Sequence, residues 1–421
     1  MSIATEITRL QGAKNDLATS IAAKGVTVPA ATKIDGYAAL VDQIQQGGGE
    51  SPAVEKDINF WDWDGTLVEA WSLSELQSKT ELPDQPEHRG FTNQGWNWTL
   101  AQLKTENAPM DVGAVSKTTD GKCHLYIEIP DYAPSSQLTL NFKMKGNGAV
   151  IDWGDGSAAE TYTGGNVSPS HTYATRGSYV INITPGNGGN MTSFGRDSDG
   201  FITDAYAKVY LKAIELADNV TFYSYAFQDC LNLTKCNFPS NADFYNAGNL
   251  FERTHIKIAI MPPRQDFSDV GNISPSTWCH LVCLPFGILY PGKYQNGLLK
   301  RIRIPSSVVT LSQNAFNGTS MTELRTGSGV LTVGDSAIRG GYKRYIEIGE
   351  NVTTLEANSI YQCSNLVKLR FKGNTPPTAN AASTFNGLPS TCIISVPTGK
   401  LSAYQTATNY PDPNTYTYIE E

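Results

Sequence analysis

The sequence predicts a mainly β, multidomain protein with short helices at the N-terminus, a β-sandwich in the middle and a C-terminal solenoid of short coils. Three observations predict it. Pairs of apolar residues two apart recur about every 22 residues from Ile214 onward. Alternating apolar and polar residues, broken by turn signals, fill residues 120–184. Charged residues are only 17% of the chain while Gly, Tyr and Trp are plentiful, which suits a turn-rich β protein better than a helical enzyme.

In chain order, residues 1–48 read as helical. Ile3, Ile7, Leu10, Lys14, Leu17 and Ile21 step alternately by four and three, an a/d seam with one polar position. Gly25 ends that helix, and a second short one from Lys33 to Gln45 presents Ile34, Tyr37, Leu40, Val41 and Ile44 on one face. Gly47-Gly48-Gly49 forms a linker. So short a seam is marginal alone. Ile7, Leu10, Leu17 and Ile21 are therefore expected to attach or oligomerise the chain, as a trimer, unless they close a local helical hairpin.

Residues 49–118 form a Trp-rich block with Trp61, Trp63, Trp71, Trp96 and Trp98. That much apolar surface either builds a small core or buries against another subunit. Trp61, Trp63, Trp96 and Trp98 are assigned to attachment or oligomerisation. Residues 119–185 read as the sandwich, from the alternation in Leu125–Ile129, Leu138–Met144 and Tyr179–Ile183. Residues 186–203 read as a linker.

The solenoid is expected over residues 204–421. Steps of 22 from Ile214 reach Cys236, Ile258, His280, Ile302, Leu324 and Ile346, and steps of 22 from Leu216 reach Phe238, Ile260, Val282, Ile304, Thr326 and Ile348. Steps of 23 and 25 continue to Leu369/Phe371 and Ile394/Val396. The pattern implies one short strand per coil with one face inward. A second register pairs a small residue with a large one: Ala226-Phe227, Ala315-Phe316, Ala337-Ile338, Ser359-Ile360 and Thr384-Phe385. The small residue lets backbones approach, and the large one fills the coil. Asp229-Cys230-Leu231-Asn232-Leu233 and Gln362-Cys363-Ser364-Asn365-Leu366 occupy matching places, so these cysteines read as packing. From Ala242 to Leu298 the small–large marker is lost, which singles out that stretch for a specialised binding surface.

The net charge of −8 and the lack of any basic cluster exclude a nucleic-acid binder. No apolar run is long enough to span a bilayer, and Met1–Glu6 lacks the basic start and apolar run of a signal peptide. Seven cysteines at irregular spacing describe buried thiols of a protein folded in the cytosol rather than a disulfide framework.

Four resemblances follow. The units Ile302-Arg303-Ile304-Pro305-Ser306-Ser307-Val308, Asn314-Ala315-Phe316, Ile346-Glu347-Ile348 and Gln362-Cys363-Ser364-Asn365-Leu366 resemble BspA-type leucine-rich repeats. That family occurs in bacterial surface proteins and phage structural proteins, and the resemblance implies a leucine-rich-repeat solenoid used for adhesion rather than catalysis. Ile151-Asp152-Trp153-Gly154-Asp155-Gly156-Ser157, with His171-Thr172-Tyr173 and Gly177-Ser178-Tyr179-Val180, is similar to the polycystic-kidney-disease (PKD) type of Ig-like domain, which implies a spacer. Ala22–Pro29, Tyr37–Val41, Phe60–Val68 and Gln94–Thr99 are similar to segments of phage tail proteins. Asp62-Trp63-Asp64-Gly65-Thr66 resembles the nucleophile loop of haloacid-dehalogenase phosphatases, but the Trp-rich and sandwich context lacks the doubly wound domain that chemistry needs.

No catalytic residue, cofactor or metal is assigned. Asp152 and Asp155 could hold calcium, but Asp-Gly there reads as a hairpin turn. Asp197-Ser198-Asp199-Gly200 lacks the closing Glu of a calcium loop, and Cys279-His280-Cys283 lacks the partner pair of a zinc site. The expectation is a virion protein, a tail fibre or tail tip, made in the host cytoplasm. It would attach to other virion proteins through its N-terminus and bind a host surface glycan or protein through the repeats. A structural decoration protein and a bacterial adhesin are the alternatives. Tyr245, Tyr290, Tyr294 and Tyr342 are the proposed ligand contacts, with Tyr206, Tyr210, Tyr223 and Tyr225 as further exposed candidates.

Overall fold

Strand β1 (Ile58–Trp61) is flanked by β2 (Leu67–Trp71) antiparallel and, past β3 (Phe91–Trp96), by β4 (Met110–Thr118) parallel, giving a sheet of order β2-β1-β4-β3. The computed structural model describes residues 53–186, 192–196, 200–223, 225–244, 250–251, 253–261, 281–284 and 299–421, and the helical positions Gln11, Lys14 and Ala18. Met1–Ala53 and Val54–Glu421 are separate compact units. The seam residues Ile7, Leu10, Leu17 and Ile21 lie outside the described residues, and so do Tyr245, Tyr290, Tyr294, Asp197 to Asp199, Cys279 and His280.

The Trp-rich block folds because its aromatics have two faces to fill. Helices α1 (Leu73–Ser78) and α2 (Leu100–Glu106) are started by capping boxes, Ser72 with Glu75 and Thr99 with Gln102, which satisfy the free N–H groups of helices this short. They cover one sheet face, where Ile58, Phe60, Trp71, Leu76, Trp96, Trp98, Leu103 and Val112 form a core. Trp61, Trp63 and Val115 pack instead against Ile258, Ile260, Leu281 and Cys283 of the solenoid. Thus Trp61, Trp63, Trp96 and Trp98 are buried within their own chain. They offer no exposed rings for attachment or oligomerisation, which corrects that assignment. Of the two fates expected of this apolar surface, a small core or another subunit, the chain shows a core of its own, completed by the solenoid.

The sandwich follows its alternation. In β5 (Cys123–Ile129) every odd residue is buried. Strands β6 (Thr139–Asn141), β7 (Met144–Lys145), β8 (Ala149–Asp152), β9 (Glu160–Tyr162), β10 (Asn166–Val167), β11 (Ser170–Thr172) and β12 (Gly177–Thr184) complete it. The expected single strand Leu138–Met144 is broken into β6 and β7. Trp153 and Tyr173 fill the middle, the Tyr173 hydroxyl donating to the Trp153 carbonyl at 2.9 Å.

Within residues 186–203, expected as a linker, the described residues are structured. They carry β13 (Thr192–Phe194), and both Phe194 and Phe201 are buried in the main core. After the short helix α3 (Ala205–Lys208), strand β14 (Leu211–Glu215) is followed by β15 (Val220–Phe222), β16 (Lys235–Cys236) and β17 (Asp243–Phe244). β13, β15 and β17 form one parallel sheet. β14 pairs parallel with β16 and antiparallel with β5, so the sheet of order β16-β14-β5-β12-β8-β9 runs from the sandwich into the solenoid without interruption.

The coils continue through β18 (Ile258–Ile260), β19 (Leu281–Cys283), β20 (Arg301–Ile302), β21 (Thr310–Leu311), β22 (Glu323–Arg325), β23 (Thr332–Val333), β24 (Tyr345–Ile348), β25 (Thr354–Leu355), β26 (Lys368–Phe371), β27 (Thr378–Ala379) and β28 (Ile393–Val396). Pairing of Leu324 with Ile346, Leu369 and Ile394 in turn matches the 22, 23 and 25 steps. In the middle the register differs. Ala259 pairs with Val282 and Val282 with Ile302, steps of 23 and 20. Ala259 and Met261 face the solenoid core, while Ile258 and Ile260 face outward onto Trp61 and Trp63. The period-2 geometry of a strand makes this one-residue offset a change of face. Thr326, a polar residue in that register, is buried and its hydroxyl accepts the Gly349 N–H at 2.9 Å.

The small–large pairs stack between coils: the Phe316 N–H donates to the Ala337 carbonyl at 2.7 Å, and the Ile338 N–H to the Ser359 carbonyl at 2.8 Å. Ala315-Phe316, Ala337-Ile338 and Ser359-Ile360 are each preceded by a left-handed residue, Asn314, Ser336 and Asn358, which turns the chain into the coil. At the C-terminal end α4 (Leu401–Gln405) and β29 (Thr417–Glu420) close the last coil, Tyr404 and Tyr410 packing on Phe371 and Phe385. The described cysteines, Cys123, Cys230, Cys236, Cys283, Cys363 and Cys392, are free and buried, and burial raises the Cys230 thiol to about 12 and Cys363 to about 11. No helix among the described residues is long and apolar enough to cross a membrane.

Candidate functional site

Strand β4 decides which part of the solenoid is available. It lies across successive coils. The Thr118 N–H donates to the Leu216 carbonyl, and the Ser116 carbonyl accepts from Asn237. Gly113 abuts Ile260 so closely that a Cβ there would sit 2.4 Å from its Cγ2. Asn97, bound to the Gly113 N–H, donates to the Met261 and Cys283 carbonyls at 3.1 and 3.2 Å, and the Trp98 indole donates to the Leu284 carbonyl at 2.7 Å. The described outward strand residues of the irregular middle, Ile258, Ile260, Leu281 and Cys283, are therefore covered by the chain's own block, while most of the stretch from Ala242 to Leu298 singled out for binding lies outside the described residues.

The strap ends at Asp111. Its carboxylate is 2% exposed and accepts from the Arg301 Nε at 2.7 Å and the Trp61 indole at 2.9 Å, with Arg303 Nε at 3.2 Å. Burial works against the Arg301 charge, but Asp111 and Glu55 outweigh it and raise its pKa. Two guanidinium groups on one buried carboxylate satisfy its lone pairs and fix β20 to β4.

Beyond this clamp a cleft of about 860 Å³ opens between the end of α2 with the start of β4 and the outer faces of β20, β22 and β24. Five basic side chains (Lys300, Arg301, Arg303, Arg325, Lys372) and six acidic ones (Glu55, Asp57, Glu106, Glu323, Glu347, Glu350) line it. The charges interleave because one outward residue per strand lines up with its neighbour in the next coil. Glu347, 8% exposed, accepts from the Tyr345 hydroxyl at 2.8 Å and lies 3.5 Å from Arg325 and 3.3 Å from Arg370. Lys372 and Glu350 pair at 3.2 Å at the rim. Glu106 closes the other end, accepting from the Ser306 N–H at 2.8 Å and its hydroxyl at 2.6 Å. The floor is bare backbone at Gly327 and Gly349, where a Cβ on Gly349 would come within 2.1 Å of the Gly327 carbonyl.

The other sequence candidates fall elsewhere. Tyr342 is 65% exposed, away from the residues lining this cleft. Tyr206 and Tyr210 are packing residues whose hydroxyls donate to the Thr139 and Gln137 carbonyls, not free contacts. Asp62 sits in the tight β1–β2 hairpin, not in a strand-to-helix loop. One of its oxygens accepts the Trp63 N–H at 2.8 Å and the other lies 2.6 Å from His88 Nε2. Burial raises its pKa, against the lowering effect of His88. Asp152 and Asp155 accept from the N–H groups of Gly154 and Ser157 in the expected turns, and Asp155 also lies 2.7 Å from His171. No group of acidic, His or Cys side chains among the described residues is arranged to hold a metal ion.

The cleft-lining residues were unremarked in the sequence because charged residues on alternate strand positions read only as a solvated face. The period itself carried the signal: Arg325, Glu347 and Arg370 follow the same 22 and 23 steps as the core.

A search of curated proteins finds no match to the chain. A family model, BspA type Leucine rich repeat region, matches six copies over residues 201–272 and 289–397. With its parallel strands, stacked small–large pairs and continuous interior, the C-terminal region carries BspA-type leucine-rich repeats.

Proposed function

We propose that this chain is a phage virion protein of the tail fibre or tail tip, which binds the host surface through its leucine-rich repeats. The observation that carries the binding half of this reading is the free, charge-laddered strand face of β22, β24 and β26, left open where the β4 strap ends. Solenoids of this kind present extended, regular surfaces to macromolecular ligands. The sandwich, with its PKD-like Asp152-Trp153-Gly154-Asp155 turn, serves as a spacer that is rigidly joined to the repeats. The first 53 residues would attach the protein to other virion proteins and bring copies together as a trimer. The reading is one of binding rather than catalysis, and it places the protein on the virion after synthesis in the host cytoplasm.

Binding of the fluorescently labelled full chain to bacterial cells tests the reading. Saturable binding to some strains and not others is expected. Absence of binding to every strain that the parent particle infects would reduce the protein to a structural decoration. Fractionation with cells rather than with particles would make it a bacterial adhesin.

A further inference from the structure

We infer that the cleft takes an extended polypeptide segment carrying both acidic and basic side chains, an inference that rests on the recognition reading above and names the chemistry of its partner. The lining interleaves five basic with six acidic groups, so a polymer of one sign, whether nucleic acid or an anionic polysaccharide, would meet repulsion from about half of them. No aromatic ring lines the cleft among the described residues, so a sugar ring has no face to stack on. The rim pair Lys372–Glu350 is about 40% exposed on both sides, at 43% and 42%. Such a pair is worth only about 0–1 kcal/mol, so exchange for ligand charges is inexpensive. Gly327 and Gly349 line the cleft and contribute no side chain to it. The cleft crosses β20, β22 and β24 and reaches Lys372 just past β26, and at about 4.8 Å per strand step that is a span of roughly four extended residues.

Fluorescence anisotropy with the full chain tests this. The probes are labelled peptides of about a dozen residues, in which Ser alternates with Glu and Lys in turn, with Glu alone or with Lys alone, and cellohexaose serves as competitor. The mixed-charge peptide is expected to bind at least about tenfold more tightly than either single-sign peptide, to be released by salt and to be indifferent to the sugar. A Lys300→Gln, Glu350→Gln, Lys372→Gln variant, altered only at exposed rim positions, is expected to bind it at least about tenfold more weakly with unchanged thermal unfolding. Equal or tighter binding of a single-sign peptide, displacement by cellohexaose, or identical binding by the variant would overturn the inference. Cell binding separates the two readings. If wild type and variant bind cells equally, the cleft assignment falls and the adhesion reading stands. If neither binds cells while the mixed peptide still binds, the adhesion reading falls alone.

Discussion

Asp111 is the residue on which two parts of the molecule meet. With Arg301, Arg303 and the Trp61 indole around it, an Asp111→Ala change leaves two half-buried guanidinium groups without their carboxylate. Removing one partner of such a buried cluster costs about 3–5 kcal/mol, and urea unfolding should show a loss of that order. Lys343 offers a second residue-scale test. It is 1% exposed, donates to the Phe316 carbonyl at 2.8 Å, and burial lowers its pKa to about 8. An unfolded lysine titrates near 10.4, so between about pH 8 and that value the unfolded chain holds the extra proton and stability gains with rising pH. Buried thiols and tyrosines titrate in the opposite sense, so the difference between wild type and Lys343→Met isolates the lysine. That difference should shift in favour of wild type as pH rises from 8 to 10 in denaturant titrations. At this scale, packing demand was legible and partner identity was not. Trp61 and Trp63 announced that they must be buried. Their partners Ile258 and Ile260 sat one residue off the interior register, which only the observed pairing revealed.

At the scale of elements, the coils pack through glycine. Gly349→Ala would press a Cβ onto the Gly327 carbonyl at 2.1 Å, and that atom is backbone of a neighbouring coil, so the coils must part. A loss of about 1–3 kcal/mol is expected, read as a lower melting temperature, while alanine at the exposed turn Gly399 should spare the coil contacts. Gly113→Val attacks the strap in the same way, against Ile260. It should unseat β4 from β18 and increase protease cutting between residues 54 and 118. Strands β22, β24, β26 and β28 were legible because the inward residues Leu324, Ile346, Leu369 and Ile394 recur at a near-constant step. β29 was not, since the positions matching Ile394 and Val396 are Tyr418 and Glu420, not an apolar pair. Nor was β13, whose glycine-rich surroundings look like a loop and whose pairing to β15 is set by the coil.

The whole of Val54–Glu421 behaves as one body because a single apolar core runs from Cys123 in the sandwich to Tyr404 at the C-terminal cap. Domain boundaries drawn between sandwich and solenoid therefore cut through hydrogen bonds and core alike. A fragment starting at residue 204 loses β5 from beside β14 and should not give a cooperative unfolding transition. One starting at residue 119 keeps that sheet but bares Ile258, Ile260, Leu281 and Cys283, and should aggregate, whereas residues 54–421 should unfold in one step by circular dichroism.

The sheet shared by sandwich and solenoid also has a mechanical meaning. A flexible tether between sandwich and repeats would let the repeats swivel and would transmit only tension. Ladder bonds between β5 and β14, continued to β16, transmit torque as well. Under the proposed recognition role, a pull on the strand face of β22, β24 and β26 would pass through many backbone bonds at once to the sandwich. The sandwich would then turn with the repeats rather than follow them on a tether.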